Sequence, residues 1–372
     1  MKIGVIGCGN ISSIYLENCQ SFAEIDVKAC ADLHRTKAEQ QAKKFGIPFV
    51  YTVEELLADH EIEVVINLTI PKVHAEVSRR VLEAGKHVYV EKPLAAELDE
   101  GEELVALAAQ KGLRIGSAPD TFLGAGIQTC KKLIDEGAIG RPLAVTGFML
   151  RPGHEWWHPD PAFFYERGGG PMFDMGPYYL TAFVQLLGPM KRVTCSASKA
   201  YSERVITSEP KYGEKIPVET PTYLAGTIEF KNGVIGTLIT SFDTFAKTDY
   251  PNIEIFGTKG VLRVPDPNRF GGPVYVKKQG EEEWMEVELT HSYDYNARGL
   301  GVLDLVRAIR ENREHRANGS VGLHVLEVMH GFHRAAEEGR HYTVKNQCDI
   351  PKPLPEEKKQ AGFESAIKKV KE

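Results

Sequence analysis

The stretch His87–Leu94 reads HVYVEKPL, a short apolar strand that delivers Glu91, Lys92 and Pro93 at its carboxyl end. In open α/β sheets ligands bind in the crevice beyond that end. A lysine there brings a long reach, three donors and a pKa that responds to burial. A lone Glu-Lys-Pro is more often a solvated loop, so its partners decide. Far downstream, Asp174 and Tyr178 stand at i and i+4 and share one helix face. Asp174 also suits a helix start, where an acid favours the dipole, and Tyr178 also reads as a half-buried tyrosine at a rim. An unassisted phenol, with a pKa of about 10, is a poor base near neutrality. A nearby Lys92 ammonium favours the phenolate and lowers that value. Lys92, Asp174 and Tyr178 are therefore the candidate catalytic residues. Tyr178 with Lys92 would relay a hydroxyl proton, Lys92 is the alternative direct base, and Asp174 would orient the substrate or the lysine. His154 and His158 offer a third route, because imidazole titrates in the right range.

The elements before Lys92 explain what it would meet. Lys2–Ile6 is an apolar strand that runs into Gly7-Cys8-Gly9-Asn10-Ile11-Ser12, and a helical pattern follows. This is the dinucleotide fingerprint G-x-G-x-x-G with Ser12 in the third position. The first glycine allows a tight turn, and the second lets backbone approach a pyrophosphate at a helix N-terminus. Gly7, Gly9, Asn10 and Ile11 are the candidate residues of that cradle. A second strand, Asp26–Ala31, ends in Asp32, where the fingerprint wants an acceptor for a ribose hydroxyl. The competing role for Asp32 is N-cap of the next helix, Thr36 to Phe45. Arg35 suits a 2′-phosphate, so NAD is the cofactor expected and NADP stays open. Thr52–Asp59 is a helix opened by a threonine cap, and Glu63–Leu68 is a buried strand. Pro71 suits the first turn of the following helix, Lys72 to Ala84, and His74 lies in that turn as a ligand or a packing residue. A helix (Glu97–Lys111), a strand (Leu113–Ser117) and another helix (Ile127 to Glu136) continue the alternation. Over roughly 120 residues this pattern predicts a doubly wound parallel sheet.

From about Arg141 the pattern turns strand-rich. Leu143–Leu150, Met190–Ala200, Pro217–Phe230, Val234–Phe242, Asn252–Phe256, Val274–Lys278 and Trp284–Leu289 read as strands, with Lys231-Asn232-Gly233 as a hairpin turn. Ala297–Glu311 and Val321–Glu338 are amphipathic helices, which makes this an α+β domain. The charged tail after Pro351 reads as a surface segment or an arm over a neighbour. Between the first strand and a helix expected from about Asp174 to Gly188 lies RPGHEWWHPDPAFFYERGGGPMFDMG, Arg151–Gly176. A loop so dense in aromatics is a plug or a binding wall. The composition excludes several classes. With a net charge of −6 and basic residues dispersed, neither nucleic acid nor an anionic membrane is the expected partner. The six cysteines are scattered without a CxxC pair, so no zinc site or disulfide framework is expected and a reduced cytoplasmic compartment fits. No segment approaches 18 consecutive apolar residues, so none is expected to span a membrane.

Together these residues resemble the glucose–fructose oxidoreductase and inositol dehydrogenase family, Gfo/Idh/MocA, from GCGNIS through AGKHVYVEKPLA to the C-terminal helices. The resemblance implies a Rossmann NAD(P)-binding domain over residues 1–120. It implies an α+β domain with a largely antiparallel open sheet over 121–345, serving substrate binding and oligomerisation, and a tail over 346–372. It implies that Lys92, beside Glu91, contacts a substrate hydroxyl and the nicotinamide region, and that TIPKVH lines the nicotinamide pocket through Thr69, Pro71 and His74. The family's G-G-G-x-x-x-D-x-G-x-H motif matches Gly168, Gly169, Gly170, Asp174 and Gly176, with Tyr178 where the proton-accepting histidine usually stands. The activity implied is hydride transfer between nicotinamide and a secondary hydroxyl of a sugar, polyol or glycoside. In the aromatic loop, Trp156, Trp157 and Phe164 offer flat faces to a pyranose; His154, His158 and Asp160 there, and Asp120 in GSAPDTF, offer hydroxyl partners. A homodimer or homotetramer through the open sheet is expected. Two rivals stand beside this reading: a non-redox sugar enzyme that oxidises its substrate transiently, and a catalytically silent sugar sensor.

Overall fold

The computed structural model describes residues 1–246 and 249–356. The first six strands are β1 (Lys2–Ile6), β2 (Asp26–Ala31), β3 (Phe49–Val50), β4 (Val64–Asn67), β5 (His87–Val90) and β6 (Ile115–Ser117). They lie in the order β3-β2-β1-β4-β5-β6, every pair parallel. Buried on both faces, β4 and β5 read as continuous apolar runs, as parallel strands must. The helices of this layer are α1 (Ser12–Ser21), α2 (Arg35–Phe45), α3 (Val53–Ala58), α4 (His74–Glu83) and α5 (Leu98–Gln110). Helix α3 opens on the expected threonine, and Thr52 and Glu55 cap each other's backbone in a capping box. The strand order reverses between β1 and β4, so the loops after β1, β4 and β5 converge on one crevice.

The remainder begins with α6 (Ala125–Asp135) and β7 (Pro142–Leu150), followed by α7 (Gly170–Leu187) and β8 (Met190–Ser198). The short strands β9 (Glu203–Val205) and β10 (Lys215–Pro217) form a separate hairpin. Then come β11 (Tyr223–Phe230), β12 (Ile235–Ser241), β13 (Ile253–Gly257), β14 (Gly260–Val264), β15 (Val274–Lys278), β16 (Met285–Val287), α8 (Leu300–Glu311), α9 (Gly319–Glu338) and β17 (Tyr342–Thr343). Nine strands make one sheet, β16-β15-β14-β13-β7-β12-β11-β8-β17, antiparallel except where β7 runs parallel to β12. Helices α7 and α9 cover one face. The other presents pairs such as Thr194 beside Thr227 and Arg192 beside Glu229.

Two expected elements differ. The strand expected over Pro217–Phe230 is broken, because Pro221 cannot donate to a ladder, and its start pairs instead in the β9–β10 hairpin. Helix α7 begins at Gly170, four residues before Asp174, because Pro171 fits a first turn. Asp174 thus sits in the second turn, facing the crevice, and its role as a helix-start acid falls away. The tail also folds differently from an arm over a neighbour as far as residue 356. Arg316 donates to the carbonyls of Lys352 and Pro353, and Leu354 N–H donates to Gln128 Oε1. The rest of the tail lies outside the described residues.

Candidate active site

The cradle forms where β1 meets α1. Gly7 has φ +100, and a Cβ there would lie 2.5 Å from the Leu68 carbonyl carbon, so only glycine fits. A Cβ on Gly9 would meet no atom of the chain, which leaves open space above the loop. Ser12, in the third position of the fingerprint, donates its hydroxyl to Gly9 O at 2.6 Å and holds the turn. Asp32 Oδ2 accepts Cys8 N–H at 2.7 Å, and Oδ1 accepts His34 N–H at 2.8 Å. The carboxylate is therefore tied to the glycine loop. The N-cap of α2 is His34, with no side-chain cap. Arg35 is exposed and pairs with Glu39 one turn on, so nothing aims it at a 2′-phosphate.

The next two loops are bolted together. Asn67, fully buried at the end of β4, donates to His74 O and Ser78 Oγ and accepts from Thr69 N–H and its hydroxyl. The His74 ring lies between Pro93 O (2.7 Å from Nδ1) and Thr69 O (3.0 Å from Nε2); burial holds its pKa below the usual value despite those carbonyls, and the neutral ring donates to one of them. His74 thus sits as a clamp between the two loops, buried behind the crevice. Glu91 is tied inward in the same way. Its Oε1 accepts the Tyr15 hydroxyl at 2.9 Å and its Oε2 the Lys92 N–H at 2.8 Å, so it braces the loop from within. Thr69 is half-buried and Pro71 exposed at the crevice side of this clamp.

Lys92 crosses to the second domain. Its ammonium donates to Asp174 O at 2.7 Å and Asp174 Oδ1 at 3.0 Å, with both side chains about one-sixth exposed (17% and 16%). Asp174 Oδ2 faces His154 Nε2 at 3.2 Å. Burial opposes the charge on each, but the pairing wins: Lys92 is held above the usual lysine range, and Asp174 well below the usual carboxylate range. Tyr178 lies with its ring centroid 5.3 Å from Lys92 Nζ, and the Arg298 guanidinium is close enough to act on its hydroxyl. Here the expected direction fails. Burial pushes the phenol up by more than Lys92 and Arg298 pull it down, so Tyr178 is protonated at neutral pH.

The aromatic loop closes the far side. His154 stacks on Phe164 at 3.7 Å and meets Trp157 and Phe242, and its Nδ1 is enclosed without a partner. His154 thus lies behind Asp174, with Nε2 toward the carboxylate and its ring against the aromatic shell. His158 Nδ1 accepts Asp160 N–H, and its ring packs edge-on against Phe163 and Phe164. Trp157 is half exposed. Asp120 is absent from this group. It is buried, and its Oδ2 accepts Gly299 N–H and Gly301 N–H at 2.9 Å each, capping α8. Burial pushes its pKa up to about 6. It binds backbone, not a substrate hydroxyl. Arg298 is the site residue that sequence reasoning missed: it comes from the loop before α8 and has no spacing that links it to Tyr178.

The comparisons agree with this architecture. Residues 1–118 match the model of an oxidoreductase family with an NAD-binding Rossmann fold, and residues 127–263 match the GFO/IDH/MocA C-terminal domain. The 1,5-anhydro-D-fructose reductase of Ensifer adhaerens is 30% identical over 266 residues, 70% of this chain and 74% of that one. The chain belongs to the GFO/IDH/MocA oxidoreductase family. Another relative, the myo-inositol 2-dehydrogenase of Thermotoga maritima, is 23% identical over 261 residues, again 70% of this chain and 74% of that one. Among solved structures, a levoglucosan dehydrogenase in complex with NADH superposes with a TM-score of 0.80 at 21% identity, covering 93% of this chain and 99% of that one. As a member of the family this chain is an NAD-dependent oxidoreductase. Its own residues fit that cofactor. The open space over Gly9 at the start of α1 suits a pyrophosphate, and Asp32, with lone pairs to spare, suits ribose hydroxyls and disfavours a 2′-phosphate. Among the described residues no helix is long and apolar enough to cross a membrane.

Proposed function

We propose that this oxidoreductase moves a hydride between NAD and a secondary hydroxyl of a sugar, polyol or glycoside, with Lys92, Asp174 and Tyr178 as the catalytic residues. The observation that carries the proposal is the Lys92–Asp174 pair: two side chains from two domains, joined at 3.0 Å at the mouth of the nucleotide crevice and still partly open. The bound nicotinamide supplies the hydride chemistry; the chain supplies the rest. Lys92 spends two donors on Asp174 and keeps its third for a substrate oxygen, where its fixed charge stabilises a developing alkoxide. Asp174 keeps Lys92 charged and in place, and His154 fixes the carboxylate from behind. Tyr178 is the proton carrier. Protonated at rest, it is ready to protonate the oxygen of a ketone as that ketone is reduced. For alcohol oxidation it must first lose that proton, so the oxidative direction gains as pH rises.

The relatives named for anhydrofructose, inositol and levoglucosan support a carbohydrate substrate, as does the aromatic loop beside His154. The half-open face of the nine-stranded sheet supports a homo-oligomer, and the reduced cysteines support a cytoplasmic location. A panel of sugars, polyols and glycosides assayed with NAD and NADP tests the reading. Turnover with at least one, with NAD preferred, is expected. Lys92→Ala should lower kcat by roughly 10²–10⁴ while NADH still binds. Near-normal turnover in that variant would overturn the assignment.

A further inference from the structure

The aromatic loop is larger than one sugar ring needs. Its inner layer is the buried His154, which faces Asp174, stacked on a half-buried Phe164. An outer layer continues from it without a break. Phe163 packs on Phe164 at 4.0 Å, His158 meets Phe163 at 5.4 Å, and Trp157 meets His158 at 5.2 Å. This layer is open to water: Trp157 is 52% exposed, Phe163 46% and the neighbouring Trp156 63%. A contiguous exposed aromatic surface of this kind marks a binding site, and these flat faces are the ones a pyranose stacks on.

The outer layer is also held rigid. The turn after β9 donates Thr207 N–H and Ser208 N–H to Glu155 O, and the Ser208 hydroxyl bonds His158 O. Arg204 pairs with Glu155 and Asp243, and Lys211 with Asp160. Across the crevice, Lys72 pairs with Glu166 and ties the loop that carries exposed Ile70 to this wall. A surface fixed before its ligand arrives loses little freedom on binding.

From this we infer a second sugar subsite formed by Phe163, Trp157 and His158, so that the substrate is a glycoside of at least two rings. One ring is oxidised at Lys92 and Tyr178, and its glycosidic neighbour stacks on the outer aromatic layer. The inference rests on the carbohydrate reading above and sharpens it, because a free monosaccharide or polyol leaves the outer layer uncovered.

The test measures kcat/KM of the full-length enzyme with NAD for free hexoses, for their methyl glycosides and for disaccharides that differ in linkage. At least one disaccharide should exceed its constituent hexose about tenfold, through KM. Phe163→Ala should reduce that disaccharide-to-hexose ratio about tenfold, the worth of one stacked ring. Hexoses turned over as well as disaccharides, or a ratio unchanged in Phe163→Ala, overturns the subsite and leaves the oxidoreductase reading intact. If no carbohydrate is turned over, the earlier reading fails. Quenching of tryptophan fluorescence by a disaccharide, lost in Phe163→Ala, would still support the subsite; no quenching would overturn it. If Phe163→Ala and Trp156→Ala instead lower the oligomeric mass in solution, the wall is a contact between copies and the inference is overturned.

Discussion

The two walls of the crevice are built by opposite means. The Rossmann wall is made of backbone geometry: a turn at Gly7, a helix start at Ser12, and loops pinned through carbonyls by Asn67 and His74. Its polar side chains are mostly spent on the chain itself. The facing wall is made of side-chain chemistry: Asp174, Tyr178 and Arg298, backed by His154 and its aromatic shell. The first kind of wall suits a ligand that is always the same, since amides and a helix N-terminus bind phosphates whatever the substrate. The second can change one residue at a time, and here it carries Tyr178 at the last position of the G-G-G-x-x-x-D-x-G-x-H pattern. Lys92 is where the two meet, rooted in one and paired with the other.

If that division is right, damage to the second wall should strike chemistry and spare cofactor binding. Tyr178→Phe should lower kcat about a hundredfold, with NADH affinity within a factor of two to three. Because the phenol is raised above its usual value, the residual activity should also lose the alkaline rise of wild-type oxidation. A variant that keeps the rise would show that another group carries the proton. Damage to the first wall should do the reverse. Gly7→Ala forces a Cβ against Leu68 in a left-handed backbone, at a cost of about 1–3 kcal/mol. Isothermal titration should find NADH binding weakened at least tenfold. Normal NADH binding would mean that the turn is not what shapes the cradle.

The same division explains what could be read from sequence. Strands β1, β2, β4 and β5, the glycine turn, the Thr52 cap and Glu91-Lys92-Pro93 are local patterns, and each formed where its pattern fell. Asp174 and Tyr178 were legible as one helix face for the same reason. Residues whose partners lie far along the chain were not. Asp120 and Glu91 look like available acids until Gly299, Gly301 and Tyr15 arrive to occupy them. His74 looks like a ligand until the carbonyls of Thr69 and Pro93 close on it. The direction of the Tyr178 shift was misread because a charge partner can be guessed from sequence, whereas the depth of burial that outweighs it cannot.

Asp120 allows a finer test, because it is a polar residue of the junction that neither wall uses for chemistry. Its folded pKa of about 6 lies above the ordinary 3.8. Burial therefore favours the protonated form: the stabilisation is complete below about pH 4 and is lost as pH rises through about 6. Asp120→Asn removes that titration and keeps an oxygen for the α8 amides. Relative to wild type, the variant should gain stability between about pH 4 and 6, by at most about 3 kcal/mol. Urea unfolding at each pH reads this directly. A difference that stays flat across the window would mean that Asp120 does not titrate there.

The smallest expected effect concerns the direct ion pair that joins the loop after β4 to the aromatic wall. Lys72 and Glu166 are 65% and 41% exposed, so their attraction is screened and worth roughly 0–1 kcal/mol. The wall is held far more firmly from its own side by Glu155, Arg204 and the turn after β9. Lys72→Met should therefore raise KM less than threefold at low salt, leave kcat unaltered, and become indistinguishable from wild type as added salt screens the pair. A larger loss that persists in high salt would mean that the walls are not independent, and that the Rossmann loop helps to hold the substrate wall in shape.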